Sequence, residues 1–439
     1  MFLVTLPTFV FTCLLSIRSA SWAYAFVLTF YCMEMTLLAS MNVFLANPAL
    51  ANYLFATTIA LSAFGHVLQL SPAVTLTHCN RVVAMITALL GWSILTLVWS
   101  PGAERGREFV VEGIPYMVVF VVLAPLLIDS VEGLRRAMII FLGLGSLVSF
   151  LLLISPEFRI RGGRLSFAVG TTDVVSVLSI GRLGGSLVIV SALLRLEGTW
   201  LLVLRVVAFS FGGLLAIYSG SRGQILFAGV TLLIFFPLAR PLRNVRGFFV
   251  AALGLMFAYL VASTVLDVFT QQADIDRWDP RYVLGALNAR LANISELLQE
   301  FYTRPQALAV GLGYNAFSAV TSAAEDAYSH NIFIDAICEL GVPAFLVLCF
   351  LLFTVARQAR ELFYHVSQHL DERVVVITLL GLSGFDLLIA QKEGQLWNHF
   401  VMYMHFCIIA RLRLTRTADL AASETYDAES GDTLIVKSG

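Results

Sequence analysis

The chain has 439 residues, a formal net charge of −1 and a mean hydropathy of +0.85. Apolar residues make up 59% of it and charged residues 13%, whereas about a quarter of the residues in soluble domains are charged. This composition excludes an ordinary soluble domain, and the near-neutral charge offers no basic surface for nucleic acid. We therefore predict an all-α polytopic membrane protein.

Apolar runs of about 20 residues, the length that crosses a bilayer as a helix, recur along the chain. They predict about 12 or 13 spans, near residues 2–17, 20–38, 49–70, 82–99, 113–129, 136–154, 172–194, 200–217, 225–239, 247–269, 331–355, 374–390 and 396–410. The first run is short, and we interpret it as a retained anchor because no convincing cleavage site closes it.

The spans form one predicted transmembrane domain, residues 1–414, which contains a large external loop at 270–329. Residues 415–439 are polar with scattered acids and are predicted to be a disordered cytoplasmic tail. The six cysteines lie mostly in or beside spans and lack the spacing of a metal site. Neither a metal nor a cofactor is expected.

Short arginine-rich loops mark the predicted cytoplasmic side, because such loops retain positive charge. They are 240–246, 357–373 and 411–416, and alternation then places 270–329 and 391–395 outside. The same alternation leaves a set of cations on the outer side, against the rule: Arg105, Arg107, Arg159, Arg161, Arg164, Arg222, Arg277, Arg290, His330 and Lys392.

Two explanations of these outer cations stay open. Neighbouring acids account for Arg105 and Arg107 by ion pairing. The run Arg159 to Arg164 and Arg222 have little acidic company, so they are either statistical exceptions or groups that bind an anion.

The 270–329 loop is the one long hydrophilic excursion, and long ordered loops usually carry function. Apolar residues recur there at helical spacing, which predicts an amphipathic helix that lies on the membrane or caps a cavity: Leu287, Leu291, Ile294, Leu298 and Phe301. Arg290 sits at the edge of this stripe, where its guanidinium either meets a headgroup or pyrophosphate or simply snorkels to the interface.

Two glycine-containing turns are candidate phosphate sites. Ser219 to Gln224 is a very short outer turn that holds Arg222 at the membrane surface, where its fork of donors suits phosphate. The alternative is a topology anchor bonded to nearby carbonyls. Gly311 and Gly313 permit a tight turn before Asn315, but one GxG is weak evidence of phosphate binding.

His330 opens a predicted span at the water boundary, and its imidazole titrates near neutrality, as a general base requires. The alternative is a residue at a helix N-terminus that Ser329 caps. Asp335 and Glu339 share a helix face, but Glu339 lies about half a turn from His330, so we interpret Glu339 as a structural hydrogen-bonding residue. Lys392 and Glu393 are expected to form a weak surface pair.

The order of these elements resembles the O-antigen ligase and Wzy-type polymerase superfamily. The resemblance covers about residues 155–400, and its most specific part is 311–341, which contains Gly-Leu-Gly-Tyr-Asn and Ser-His-Asn. The run from Arg164 to Arg182 is similar to the family's earlier outer segment. One departure is the lack of a tryptophan a few residues after Arg290.

The resemblance implies a GT-C-like membrane fold and glycosyl transfer on the periplasmic side of a bacterial inner membrane. The implied donor is a saccharide on undecaprenyl pyrophosphate, and the acceptor is a hydroxyl of a glycan or of lipid A core, with direct displacement and inversion and without metal. The implied catalytic residues are His330, Arg222 and Arg290. Candidate substrate-binding residues are Arg161, Arg164, Ser221, Gly313, Asn331 and Lys392.

Beyond the lipid-linked donor, the acceptor and the bilayer, a chain-length regulator protein is a candidate partner. Nothing in the sequence separates a polymerase from a ligase. The alternative function is a flippase for lipid-linked saccharides, or another transporter, without catalysis. A transporter is expected to place cations along a path at mid-membrane depth, whereas these gather at one face.

Overall fold

The structure is a computed structural model that describes residues 2–161, 164–166, 168–169, 172–173, 176–240, 280–323 and 328–431. The predicted span at 247–269 and Arg277 lie outside the described residues. So do residues 432–439 at the end of the predicted tail.

Helices dominate the amino-terminal part of the chain. In order they are α1 (Phe2–Arg18), α2 (Ala20–Ser40), α3 (Asn42–Ala46), α4 (Ala49–Val67), α5 (Pro72–Leu76), α6 (Arg81–Thr96), α7 (Ala103–Met117), a π-helical stretch (Val118–Leu123), α8 (Ala124–Leu126) and α9 (Val131–Ile154).

The remaining helices carry most of the residues that the sequence marked as functional. They are α10 (Val177–Leu193), α11 (Thr199–Tyr218), α12 (Arg222–Ala239), α13 (Pro280–Thr303), α14 (Pro305–Val310), α15 (Phe317–Val320), α16 (Ile332–His365), α17 (Leu370–Ala390), a 3-10 turn (Leu396–Asn398) and α18 (Phe400–Gly431). Helix α18 extends past the start of the predicted tail at residue 415, and the boundary of the transmembrane domain stays a prediction.

Within the described residues, eight helices are long and apolar enough to cross a membrane, and three shorter apolar helices accompany them. The predicted fold class, an all-α polytopic membrane protein, is confirmed. Two small antiparallel hairpins were not predicted. They pair β1 (Arg159–Arg161) with β2 (Arg164–Ser166), and β3 (Ala168–Val169) with β4 (Thr172–Asp173).

Helix packing relies on small residues where backbones approach closely, as is usual in membranes. A Cβ at Gly184 of α10 would lie 2.6 Å from the backbone nitrogen of Ala216 and 2.7 Å from the carbonyl oxygen of Gly212, both in α11. Aromatic rings fill the core between α2 and α4, where Phe30 stacks on Phe55 with centroids 3.7 Å apart.

Ion pairs and hydrogen bonds join the segments that connect the helices at the two ends of the bundle. At one end Arg413 pairs with Glu361 at 2.9 Å and Arg416 with Glu372 at 3.1 Å, which joins two of the predicted cytoplasmic segments. At the other end Ser100 donates to the carbonyl of Tyr314 at 2.7 Å. This bond joins two of the segments predicted to be outside, and which side of the membrane they face stays a prediction.

Candidate active site

The turn between α11 and α12 is built by its serines and by Gly220. Gly220 has a φ of 64°, in the left-handed region that favours glycine. The hydroxyl of Ser219 donates to the carbonyl of Ala216 at 2.6 Å and accepts the backbone N–H of Ser221 at 3.1 Å. This bonding fixes the turn so that Arg222 is the first residue of α12, at the end that the sequence predicts to face outward.

Lys392 reaches this turn from the connection between α17 and α18. Its Nζ donates to Oγ of Ser221 at 2.7 Å. Its stem lies on Gly223, where a Cβ would come within 2.5 Å of Cδ of Lys392. Glu393 accepts from the side-chain amide of Gln224 at 2.9 Å, and its predicted weak pairing with Lys392 stays a prediction.

His330 lies on the other side of the same connection. Its Nδ1 is 2.8 Å from the carbonyl oxygen of Lys392. A carbonyl can only accept, so Nδ1 carries the proton and Nε2 of the neutral ring keeps its lone pair. His330 has a φ of 61°, which is uncommon for a non-glycine residue, and its ring lies 4.3 Å from that of Tyr328.

The environment of His330 favours its neutral form. Burial lowers its pKa to about 4, with further lowering by the charges of Arg290 and Lys392, and the hydrogen bond to the carbonyl of Lys392 opposes them in part. The neighbouring Tyr328 has a pKa raised to about 12, mainly by burial. At neutral pH the site therefore presents an uncharged imidazole between cations.

Arg290 comes from the predicted amphipathic helix, which is confirmed as α13. At about 100° per residue, Arg290, Leu297 and Phe301 project within about 20° of one direction. Leu297 and Phe301 are buried in a small cluster with Ala307, Leu312, Ala316, Phe317 and Cys338. This face therefore turns the half-buried Arg290 towards His330 and Tyr328, whose pKa values its charge lowers.

The apolar side chains of this helix divide between a buried face and exposed positions. Leu287 and Leu291 are 49% and 55% exposed, whereas Leu297, which lay outside the predicted stripe, is completely buried. Leu297 and Phe301 pack against the segment after α14 and against α16, with Leu298 partly buried beside them, while Leu287 and Leu291 stay exposed. Glu296 also ties the helix to the loop by accepting from the backbone N–H of Ser322.

Asn331 caps α16, and the predicted cap, Ser329, was wrong. The side-chain oxygen of Asn331 accepts from the backbone N–H groups of Phe333 and Ile334 at 2.9 and 3.2 Å. The hydroxyl of Ser329 instead accepts the backbone N–H of Asn331. Asn331 therefore shapes the site by starting the helix next to His330, and its oxygen is engaged in the cap.

The glycine turn at 311–313 is held against the first half of α16. Glu339 accepts the backbone N–H groups of Asn315 and Phe317, each at 3.0 Å, which confirms its predicted structural role. A Cβ at Gly313 would lie 2.4 Å from Cα of Ser100. Close packing against the backbone of Ser100 therefore explains why a glycine is needed at this position. The predicted contact of Gly313 with substrate stays a prediction.

Arg161 and Arg164, two predicted substrate-binding residues, lie in strands β1 and β2. Arg161 and Arg164 pair across the hairpin backbone. The side chain of Arg161 lies outside the described residues, and that of Arg164 is half-buried. Their predicted role with the substrate stays a prediction.

A buried charged network below the site was missed by the sequence analysis. Arg182 of α10 lies 3.3 Å from Asp386 of α17 and 3.4 Å from Glu393. Asp386 also lies 2.8 Å from Nδ1 of His405. The sequence did contain a signal for this network, because ionisable residues inside apolar spans are costly unless they are paired.

Comparison with known protein families matches a segment that contains the three predicted catalytic residues, Arg222, Arg290 and His330. Residues 206–349 match the family model described as O-antigen ligase, Wzy_C. The predicted family resemblance is confirmed. No curated protein matches the chain.

The O-antigen ligase match contains Arg222, Arg290 and His330. Through Lys392, the 391–395 turn contacts His330 and Ser221, the residue before Arg222. Lys392 and Glu393 lie outside the matched segment, as does Arg182. The match supports a ligase or polymerase reaction in polysaccharide synthesis, carried out by a membrane protein.

Proposed function

We propose that the protein is a membrane glycosyltransferase that moves a saccharide from undecaprenyl pyrophosphate to an acceptor sugar hydroxyl. The acceptor is a growing surface polysaccharide, for a polymerase, or lipid A core, for a ligase. The single observation that carries the proposal is the neutral imidazole of His330, which Lys392 holds by its carbonyl while the ammonium of the same lysine contacts Ser221, next to Arg222. Burial and the charges of Arg290 and Lys392 lower the pKa of this imidazole.

This arrangement suits the displacement of pyrophosphate from an anomeric carbon. The acceptor hydroxyl gives its proton to Nε2 of His330 as its oxygen bonds to the anomeric carbon. The bond from that carbon to the pyrophosphate oxygen breaks, and its electron pair leaves with the pyrophosphate. Direct attack from the opposite side inverts the anomeric centre.

The charge that develops on the leaving pyrophosphate needs fixed cations in a site of low water content. Three are available: Arg222, Arg290 and Lys392. Each guanidinium group can donate two parallel hydrogen bonds to the oxygens of one phosphate. These groups carry out the stabilisation for which other phosphate-handling sites use a divalent ion, so transfer is expected to continue in the presence of a chelator.

The predicted setting is the inner membrane of a bacterium, with the site facing the periplasm. Cysteine labelling tests this orientation at two exposed positions that are predicted to lie on opposite sides of the membrane. Tyr302 in α13 is 73% exposed, and the side chain of Glu197, before α11, is 70% exposed. In a background without the native cysteines, Tyr302→Cys is expected to react with an impermeant thiol reagent in intact cells, and Glu197→Cys only after lysis. The reverse pattern would overturn the periplasmic assignment.

Substitution in a host that depends on this protein for its polysaccharide tests the catalytic proposal. His330→Ala, Arg222→Ala and Arg290→Ala are each expected to abolish glycan extension while membrane insertion stays normal. The matched controls are His369→Ala and Arg304→Ala, since His369 is exposed and Arg304 pairs with Glu300 at the surface. Unchanged polymer in all three site variants would overturn the proposal.

The same host separates ligase, polymerase and transporter by what accumulates. Loss of polymer from lipid A core with lipid-linked polymer retained indicates a ligase, and core carrying single repeat units indicates a polymerase. Accumulation of the lipid-linked repeat in the inner leaflet would favour the flippase alternative. A partner that sets chain length would change the length distribution without stopping transfer.

A further inference from the structure

Asp335 is a buried acid close to the proposed base. It belongs to the first turn of α16, is 4% exposed, and accepts the backbone N–H of Gln395 through Oδ2 at 2.6 Å. This bond joins the segment that carries His330 to the turn that carries Lys392.

Each of the two segments that this bond joins contains a residue with an uncommon backbone conformation. Gln395 has a φ of 64° and His330 a φ of 61°. Such conformations in non-glycine residues persist where the surrounding structure holds them. The hydrogen bond from Gln395 to Asp335 supplies that support on the side of the 391–395 turn.

Close packing of the same two segments makes the turn sensitive to the position of Asp335. A Cβ at Gly394 would lie 2.8 Å from Oδ2 of Asp335 and 3.0 Å from the backbone nitrogen of His330. The 391–395 turn therefore packs directly against the carboxylate of Asp335. Two residues earlier, its carbonyl at Lys392 accepts Nδ1–H of His330.

We propose that Asp335 is a positioning residue whose side-chain oxygen holds the 391–395 turn so that the Lys392 carbonyl keeps His330 in its Nδ1–H tautomer. The inference rests on the proposed function only in linking this tautomer to catalysis. Asp335 acts through backbone groups and through His330, and what it contributes is a hydrogen-bond acceptor. A neutral acceptor of the same shape can replace it.

Nitrogen-15 NMR of the full-length protein labelled at histidine tests the tautomer directly. The signal of an unprotonated Nε2 is assigned to His330 by its loss in His330→Gln. Asp335→Asn, which keeps a side-chain acceptor, is expected to retain that signal, and Asp335→Ala is expected to replace it by a mixture of tautomers. Asp371→Ala is the matched control, because Asp371 is an exposed acid in the first turn of α17.

Transfer kinetics give the second readout. Asp335→Ala is expected to lower kcat at least about tenfold with little change in KM, and Asp335→Asn to restore most of it. If Asp335→Ala does not give monodisperse protein, Asp335→Leu, which fills the buried space, takes its place. An unchanged tautomer signal in the Ala or Leu variant would overturn the inference, as would an Asn variant as impaired as the Ala variant.

The two proposals fail separately. If His330→Gln keeps full transfer while Asp335→Ala still changes the tautomer, the catalytic proposal falls and the positioning inference stands. If His330→Gln is inactive while Asp335→Ala changes neither the NMR signal nor kcat, the positioning inference falls alone.

Discussion

Lys392 and His330 are joined through the backbone carbonyl of one and the ring Nδ1 of the other, at 2.8 Å, across 62 positions of sequence. The same lysine donates its ammonium to Ser221, beside Arg222. One residue thus connects the proposed base to the turn that presents a proposed phosphate ligand.

The ammonium and the carbonyl of Lys392 are separable by substitution. Lys392→Met removes the cation and the contact with Ser221 but leaves the carbonyl that orients His330. We expect it to raise KM for the lipid-linked donor about tenfold or more, since a charge-assisted contact is lost. Lys392→Arg keeps the cation and is expected to lie between wild type and Lys392→Met.

Donor titrations at fixed acceptor concentration, with each variant in the same nanodiscs, measure this effect. Equal KM values for wild type and Lys392→Met would show that the ammonium does not contact the donor.

The packing of Gly394 leaves no room for a side chain. Gly394→Ala places a Cβ against Asp335 and the backbone of His330, so the turn must shift. We expect kcat to fall by up to about 100-fold, the scale that a misplacement of about 1 Å can produce. Gly143→Ala is the matched control because nothing lies within 4 Å of its added Cβ. Single-turnover transfer is the measurement, and transfer by Gly394→Ala as fast as by the control would contradict the account.

Leu297 anchors the helix that carries Arg290. Leu297→Ala leaves a space in the buried cluster and is expected to destabilise the packing of α13 by about 3 kcal/mol, which raises KM for the donor because Arg290 loses its fixed position. Leu291→Ala on the same helix is the control, since its side chain is 55% exposed. Backbone hydrogen exchange over α13 and the KM for the donor, measured for both variants, distinguish them. Equal protection of the α13 amides from exchange in both variants would contradict the burial of the face that contains Leu297.

The pH dependence follows from the low pKa of His330, about 4. The imidazole must be neutral to accept a proton, so activity is present above that pKa and is lost as the pH falls through it. The acid limb of kcat/KM, which reports the free enzyme, is expected near pH 4. A bound diphosphate offsets the neighbouring cations, so the acid limb of kcat is expected at higher pH.

The direction in which Lys392→Met shifts the acid limb is a second test of whether His330 is the titrating group. The charge of Lys392 lowers the pKa of His330, so its removal is expected to move the acid limb of kcat/KM to higher pH. A limb that stays in place, or moves to lower pH, would contradict the assignment of this titration to His330.

Several features could be predicted from residues alone because they depend on local pattern. Apolar runs give the spans, arginine distribution groups the outer segments, and the Ser-His-Asn sequence marks His330 at a helix start. The helix around Arg290 also follows from its spacing. Each of these rests on neighbours in sequence or on a rule about one loop at a time.

The remaining features depend on contacts between distant segments. The tautomer of His330 is set by a carbonyl 62 residues away, and the burial of Leu297 is set by the segment after α14 and by α16. The pairing of Arg182 with Asp386 joins α10 to α17. No local pattern specifies these partners, so the sequence could mark the residues as unusual without assigning what they bind.

Separate measurement of donor binding and transfer tests the central claim, that fixed cations hold a pyrophosphate beside one neutral base. The probe is a short-chain polyprenyl-pyrophosphate saccharide, titrated calorimetrically into purified protein in nanodiscs and then assayed for transfer. We predict that His330→Gln binds the donor within about threefold of wild type but transfers no sugar, whereas Arg222→Ala and Arg290→Ala each weaken binding at least about tenfold. Transfer by His330→Gln at the wild-type rate, or unchanged donor affinity in both arginine variants, would contradict the account.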